Sequence, residues 1–307
     1  MRRLAFSVLC LALIACGSSG SGGDSPPPAT VGPPVGTVEE VVDLPTASEG
    51  IAEGPGPDGA PAIYVAAGGS VFRVGADRTT TKLAELPGPL GVAVQKDGSL
   101  IVCGKLPGAA GKAPGGGALW KITPSGEASV FVGAGGYELP NMVAIAPDGR
   151  VAFTDSSAGK VYLTGVDGQA VTPLGDVSYA NGLAFSPDGA RLYVASYDTK
   201  KVYALDRAGD GFSAPAVFAD GVEQVDGVSV TAAGALVLVR SSEITLLAPG
   251  SAPRPIVAAS AIGGVPANGA FGFGAYGDGW LYLSNLLSRT IVRVYVGAPG
   301  LPLPVAP

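Results

Sequence analysis

Short apolar segments alternate with glycine-bearing turns along most of this chain, and six of them share one pattern. In each copy a first residue, usually followed by Gly, precedes an apolar stretch, a turn glycine and a second apolar stretch. The apolar stretches are rich in Val, Tyr, Phe and Ile, which is typical of β-strands. Five first residues precede the turn glycine by eight positions, and one precedes it by ten. The copies begin at Glu49, Leu90, Asn141, Asn181, Asp226 and Phe271, with turn glycines Gly59, Gly98, Gly149, Gly189, Gly234 and Gly279.

The spacing of these copies predicts the fold class. Successive turn glycines lie 39 to 51 residues apart, which is the period of a four-stranded propeller blade. We therefore predict an all-β, six-bladed β-propeller over residues 37–297, followed by a Pro-rich tail at residues 298–307. The last blade lacks a strand, and residues 37–44 form an extra one, so the ring should be closed by an N-terminal strand in the last blade. An open solenoid is the alternative, but no segment resembles a capping unit.

Composition and charge narrow the chemistry. The chain has 48 Gly, 27 Pro, no His and a formal net charge of −6. Without a basic stripe, nucleic acid is not an expected partner. Without His, no imidazole can act as a base or a metal ligand. Cys103 lies in an apolar strand and is interpreted as a small buried hydrophobe with no functional role.

The N-terminus has the pattern of a targeting signal. Arg2 and Arg3 precede an apolar run over residues 4–15 that is too short to span a bilayer. The sequence Leu-Ile-Ala-Cys ending at Cys16 resembles a bacterial lipoprotein processing box, so residues 1–15 are interpreted as a signal peptide and Cys16 as the lipidation site. Residues 16–36, rich in Gly, Ser and Pro, would be a flexible tether. We expect a lipoprotein of the bacterial cell envelope, in the outer membrane facing the periplasm or the surface, with ordinary secretion as the alternative.

The first residues of the copies suggest a metal site. In a propeller the first strand of each blade lines the central channel, so residues that begin these strands should face one another. Four of the six carry side-chain oxygens, and two carboxylates with two amides suit a hard divalent cation. Asn-Gly and Asp-Gly are also common turn dipeptides, which is the structural alternative. We predict one bound divalent metal, with Ca²⁺ favoured over Zn²⁺, Mn²⁺ or Mg²⁺, held by Glu49, Asn141, Asn181 and Asp226.

The ordered donor set resembles that of the senescence marker protein/gluconolactonase family. Glu49-Gly50 is similar to the family's metal Glu-Gly pair, with Glu53-Gly54 as second choice, and Asn181-Gly182 and Asp226-Gly227 are similar to its Asn-Gly and Asp-Gly pairs. The resemblance implies a six-bladed propeller with one axial metal, and it implies that Asp226 is the general base.

Two features depart from that family. Leu139 occupies the position of a sugar-binding Arg, and the stretch from Phe153 to Ser157 resembles strictosidine-synthase-like propellers instead. Polar residues that follow the second strands of four blades, together with a tyrosine before the third donor, are candidate substrate contacts. These are Asp155, Tyr197, Arg240, Asn285 and Tyr137.

Three functional hypotheses follow for a chain expected to be a monomer with a small-molecule ligand. The first is a divalent-metal-dependent hydrolase that opens a lactone or related ester. The second is a non-catalytic, surface-tethered binding or scaffold propeller, since a propeller fold alone does not determine function. The third is a strictosidine-synthase-like enzyme.

Overall fold

The chain folds into six antiparallel sheets in chain order, one for each predicted repeat. The structure is a computed structural model that describes residues 32–108, 115–133 and 135–301. The predicted signal peptide, the lipidation site and most of the predicted tether lie outside these residues. Within them, no helix is long and apolar enough to cross a membrane.

The first three blades follow a single extended strand. That strand is β1 (Val38–Asp43). Blade 1 comprises β2 (Ser48–Pro55), β3 (Pro61–Ala67), β4 (Ser70–Gly75) and β5 (Thr80–Glu85). Blade 2 comprises β6 (Val92–Val94), β7 (Leu100–Lys105), β8 (Gly117–Ile122) and β9 (Ala128–Val132). Blade 3 comprises β10 (Pro140–Ile145), β11 (Val151–Asp155), β12 (Lys160–Thr164) and β13 (Thr172–Asp176).

The last three blades repeat this order with small additions. Blade 4 comprises β14 (Ala180–Phe185), β15 (Arg191–Ser196), β16 (Lys201–Ala208), the short β17 (Gly211–Phe212) and β18 (Ala216–Asp220). Blade 5 comprises β19 (Val225–Val230), β20 (Leu236–Arg240), β21 (Glu243–Leu247) and β22 (Arg254–Ala258), and a one-turn helix α1 (Ala259–Ile262) follows it. Blade 6 comprises β23 (Pro266–Phe271), β24 (Trp280–Asn285) and β25 (Thr290–Tyr295), and β1 pairs with β25 as its outer strand.

The first strands of the six blades surround a common axis. Each of β2, β6, β10, β14, β19 and β23 contacts the next, and β23 contacts β2. The predicted six-bladed all-β fold is therefore confirmed. All six turn glycines have positive φ, between 66° and 84°, which explains why glycine marks each copy.

The hydrophobic core lies between neighbouring blades. Tyr64 and Val71 of blade 1 pack with Trp120 of blade 2 in one cluster. On its other face, blade 1 packs against Trp280 and Tyr282 of blade 6. Alternate residues of one strand therefore serve two separate cores, and the polar positions at the start of the inner strands remain at the axis.

The sixth blade differs from the predicted alignment. Phe271 ends β23 rather than beginning it, because the connection to β24 is longer than in the other blades and contains a single 3-10 turn (Gly274–Tyr276). The predicted axial position of Phe271 is therefore wrong. The start of the predicted tail is also paired with the core: Gly300 forms a β-bridge with Thr231, and the Leu301 N–H donates to the carbonyl of Val230 at 3.2 Å.

Candidate metal and active site

A repeated irregularity at the start of the inner strands defines the axial positions. In blade 1, Ser48 pairs with Ala67, and pairing resumes only at Ile51 with Val65. The same register shift occurs near the start of β10, β14, β19 and β23. The residue after the first paired position is left out of each of these five ladders, and we call it, together with the corresponding residue before β6, the axial residue. In strand order the axial residues are Glu49, Leu90, Asn141, Asn181, Asp226 and Ala267.

The polar axial side chains are buried, yet oxygens among them lack partners. Asn141, Asn181 and Asp226 are 6%, 4% and 5% exposed. One side-chain oxygen of each, Oδ1, has no hydrogen-bond donor within the described structure. Buried polar atoms are nearly always satisfied, so three unpartnered oxygens at equivalent positions could accept hydrogen bonds or coordinate a cation.

The two carboxyl groups of this set affect one another. Burial raises the pKa of Glu49 from 4.5 to about 7. Burial and the charge of Glu49 raise the pKa of Asp226 well above its ordinary value, and the Asn181 side chain opposes this as a hydrogen-bond donor. Ala267, the axial residue of the intervening blade, is too small to separate the two groups. A cation between them would favour ionisation of both.

Side chains from the second strands orient the axial residues. The Asn141 amide donates to Ser156 Oγ at 2.9 Å, and that hydroxyl donates to the carbonyl of Ala180 at 2.6 Å. Thr154 Oγ1 donates to the Asn181 carbonyl at 2.9 Å. The donor side of the Asn141 amide is thus occupied, which leaves its oxygen available at the axis.

The glycines that follow axial residues are required by close approach of the strands. A Cβ atom on Gly50 would lie 2.1 Å from the Leu90 carbonyl oxygen, and one on Gly182 would lie 2.4 Å from that of Asp226. No real Cβ tolerates such contacts with backbone. The donor-Gly pattern of the sequence therefore reflects crowding around the axis rather than turn formation.

Three of the predicted substrate contacts instead support the donor loops. Asp155 is fully buried, and its carboxylate accepts the N–H groups of Glu138 and Leu139 at 2.8 and 2.9 Å. Arg240 Nε donates to the Glu223 carbonyl at 2.9 Å. Asn285 Oδ1 accepts the Val265 N–H at 3.1 Å. Each side chain holds backbone two or three residues before an axial position, so these contacts position the axial ring.

The two predicted tyrosine contacts have different surroundings. Tyr137 is 7% exposed and packs edge-to-face on Phe153 and Tyr162, which places it in the core between blades. Tyr197 is partly exposed, its ring lies 5.9 Å from that of Tyr179, and its hydroxyl is 3.4 Å from Ser241 Oγ. Of the five candidates, Tyr197 has the placement that best suits contact with a ligand.

One residue of the axial region was missed. Asn268 is 1% exposed, its Oδ1 is unpartnered, and its amide donates to the Glu49 carbonyl at 3.3 Å. A Cβ on Gly227, next to Asp226, would lie 2.7 Å from that oxygen. Asn268-Gly269 is an Asn-Gly dipeptide like Asn181-Gly182, but the register aligns Asn268 with Gly182, one residue after the axial position. A sequence search for Asn-Gly with a longer turn in the sixth copy would find it.

The donor set fits a hard cation. Among residues 32–108, 115–133 and 135–301, no group of three or more His, Cys, Asp or Glu side chains could hold a metal. The axial set is instead two carboxylates supplemented by amide oxygens, a combination suited to calcium-like ions rather than to nitrogen or sulfur ligands. Glu53, the alternative to Glu49, lies four residues further along β2 and lines a cavity beyond the ring.

The fold and site together define a six-bladed propeller with a buried, oxygen-rich axial centre. A family model described as "SMP-30/Gluconolactonase/LRE-like region" matches residues 63–252. The chain therefore belongs to the SMP-30/gluconolactonase/LRE-like family, which confirms the resemblance found in the sequence. No curated protein sequence matches the chain.

Solved structures share this fold at low sequence identity. A gluconolactonase from Xanthomonas campestris is 21% identical with a TM-score of 0.70, over 89% of this chain and 96% of that one. A luciferin-regenerating enzyme is 15% identical with a TM-score of 0.67, over 88% and 100%. Regucalcin from Agrobacterium tumefaciens, a calcium-binding protein, is 15% identical with a TM-score of 0.66, over 88% and 98%.

Proposed function

We propose that this protein is a divalent-cation-dependent hydrolase that opens a lactone or a related ester at the axial ring. Membership of the SMP-30/gluconolactonase/LRE-like family supports the lactonase class. The observation that carries the proposal is the set of buried, unpartnered oxygens on Asn141, Asn181 and Asp226 beside the carboxyl of Glu49. Such a set is costly without a cation.

Glu49, Asn141, Asn181 and Asp226 would hold the ion, which we expect to be Ca²⁺, with Mn²⁺, Mg²⁺ or Zn²⁺ as alternatives. When bound, a divalent cation supplies a Lewis acid that polarises an ester carbonyl. Asn268 Oδ1 provides a further oxygen beside this set.

Asp226 is proposed to accept the proton of the attacking water, because it is the more deeply buried carboxylate of the pair. A cation bound beside Asp226 would favour its ionised form, and the carboxylate could then accept a proton at neutral pH. Asn181, which donates to Asp226, would restrain its orientation. Leu139, in place of the family's sugar-binding Arg, favours a substrate other than an acidic or heavily hydroxylated sugar lactone.

Replacing Asp226 by Ala tests the proposal. We expect loss of bound metal in elemental analysis and at least a hundredfold loss of hydrolysis of a lactone and ester panel, the usual size of a general-base contribution. Asp278→Ala removes an exposed carboxylate in the sixth-blade connection and is the matched control. Undiminished, chelator-insensitive lactone opening by the folded Asp226→Ala variant would refute the proposal.

A non-catalytic binding propeller is the second candidate, favoured by Leu139 at the position of the family's Arg. Stoichiometric metal retention with no turnover across the panel would support it. The strictosidine-synthase-like alternative rests on the stretch from Phe153 to Ser157, in which Thr154 and Ser156 donate to backbone carbonyls of β14.

The cellular location and assembly state are proposed from the sequence. We propose a monomer anchored to the outer membrane through a lipid on Cys16. Mass spectrometry of the purified N-terminal peptide should find a lipidated Cys16, and Cys16→Ser should release the protein from the membrane fraction. An unmodified residue 16 in membrane-derived material would contradict the anchor.

A further inference from the structure

A cavity of about 450 Å³ lies on the axis beyond the donor ring. The inner strands of all six blades line it, from positions just past the axial residues to the strand ends at the opposite mouth. Along β10 the distance from Asn141 to Ile145 is four residues, or about 13 Å at the rise of a strand. Most of the cavity is therefore separate from the proposed catalytic centre, and its volume suits a small organic ligand.

Apolar side chains form most of the cavity wall, and strand backbone and three polar side chains form the rest. Phe271, Phe273, Val230 and Leu183 are among its lining residues. The hydroxyl of Ser229, which also lines it, donates to the Gly269 carbonyl at 2.7 Å. Ser186 is similarly engaged, with its hydroxyl 2.6 Å from Asp188 Oδ1. Neither lining hydroxyl needs a ligand to satisfy it.

Glu53 is the single ionisable residue among those that line this cavity. Within the described structure its carboxyl has neither a hydrogen bond nor an ion pair. Burial raises the pKa of Glu53 from 4.5 to about 7, with no basic side chain to oppose the effect. A cavity lined mainly by apolar side chains, with one unpaired carboxyl, is complementary to a ligand that has an apolar body and one positive charge.

The segment over residues 299–301 forms one side of the cavity opening at the far ends of the inner strands. The Pro299 carbonyl accepts the Ala232 N–H at 2.9 Å, and Leu301 contributes its side chain to the cavity wall. Gly300 passes so close to Phe271 that a Cβ there would lie 2.2 Å from the phenyl group. Backbone hydrogen bonds to blade 5 thus fix one side of the opening.

We propose that this cavity is a second ligand site, which binds a small apolar monocation such as an alkylammonium ion with its charge paired to Glu53. The apolar body would displace water from the wall, which is favourable in proportion to the area buried. The charged group would pair with the carboxylate in surroundings of low polarity, where such pairs are stronger than in water. This site is independent of the proposed hydrolase activity.

Calorimetric titration of the full-length protein with hexylammonium and with 1-hexanol at pH 8.5 tests the proposal. The full chain is used because residues 302–307 lie outside the described structure and follow Leu301 directly. We expect hexylammonium to bind at least about tenfold more tightly than the alcohol, the size of one charge-assisted hydrogen bond. Glu53→Gln should abolish this preference while leaving hexanol binding unchanged.

Two further variants complete the design. Glu127→Gln neutralises an exposed carboxyl in the second blade and should bind both probes as the wild type does. Ala270→Phe fills the cavity from its wall and should lose both. Equal affinity of the wild type for the two probes, or an unchanged hexylammonium affinity in Glu53→Gln, would overturn the proposal. Metal content and lactone hydrolysis should not change in Glu53→Gln, so failure here is distinguishable from failure of the proposed function.

Discussion

The raised pKa of Glu49 makes a quantitative prediction for the metal-free protein. Its carboxyl has a pKa of about 7 in the folded state against an ordinary value of 4.5. The folded protein therefore holds this proton more tightly than the unfolded chain does. The resulting stabilisation is fully present below about pH 4.5 and is lost as the pH rises through about 7. The metal-free protein should consequently become less stable across this window.

The magnitude follows from the two values. At about 1.4 kcal/mol for each tenfold change in proton affinity, the difference corresponds to roughly 3 kcal/mol of unfolding free energy. Asp226 contributes in the same direction, because burial and the charge of Glu49 also raise its pKa. Glu53 titrates in this window too, with a pKa of about 7. The quantity to measure is therefore the difference between the wild type and Glu49→Gln, in which the contribution of Glu53 cancels.

Urea unfolding of chelator-treated protein at pH 5 and pH 8 measures this difference. Between these pH values, which cover most of the titration, the wild type should lose about 2.5 kcal/mol more than Glu49→Gln does. Addition of Ca²⁺ at pH 8 should restore stability to the wild type but much less to the variant, because a ligand stabilises only the state that binds it. Glu127→Gln should behave as the wild type. Equal losses in the wild type and Glu49→Gln would refute the inference that Glu49 is buried beside a second carboxyl.

Three further predictions concern Gly50, Asp155 and Cys103. Gly50→Ala should destabilise the metal-free protein by about 3 kcal/mol in urea unfolding, because its Cβ would meet the Leu90 carbonyl; Gly211→Ala, with no atom nearer than 3.9 Å, should change little. Asp155→Asn should lower the unfolding free energy by about 2 kcal/mol, because it weakens the hydrogen bonds to the loop before Asn141. A lowered metal affinity with unchanged stability would contradict a purely structural role for Asp155. Burial raises the pKa of Cys103 far above its ordinary value, so a thiol reagent should modify it only after unfolding, as read by peptide mass; rapid labelling of the native protein would disprove its burial.

Much of the fold could be predicted from the chain because propeller blades are local. Each blade is built from consecutive strands, so turn glycines and apolar strands recur at a short period that is visible in the sequence. The sixth copy departs from the prediction because the prediction depends on a constant spacing to the turn glycine. The connection around Gly274 is longer in this blade, so counting eight residues back from Gly279 reaches Phe271. Phe271 lies at the end of β23 that is opposite to the axial residue.

The positions of the four predicted donors in the fold follow from their spacing in the sequence. Glu49, Asn141, Asn181 and Asp226 lie at the equivalent axial positions that their spacing implied. The residues after the second strands were harder to interpret, because a polar residue at a loop suits ligand contact and backbone support equally well. Only the hydrogen bonds of Asp155, Arg240 and Asn285 distinguish these roles.

By itself the sequence determined the number of repeats, the strand period and which residue lies at the start of the inner strand in five of the six copies, because these depend on neighbouring positions in the chain. The tertiary structure decided which polar groups remain unpartnered, how closely Glu49 approaches Asp226 and which cavity contains Glu53. Those properties depend on burial and on contacts between blades that are far apart in sequence. A carboxyl group has an ordinary pKa in an isolated strand, and it acquires an altered one only when the closed packing of six sheets removes it from water.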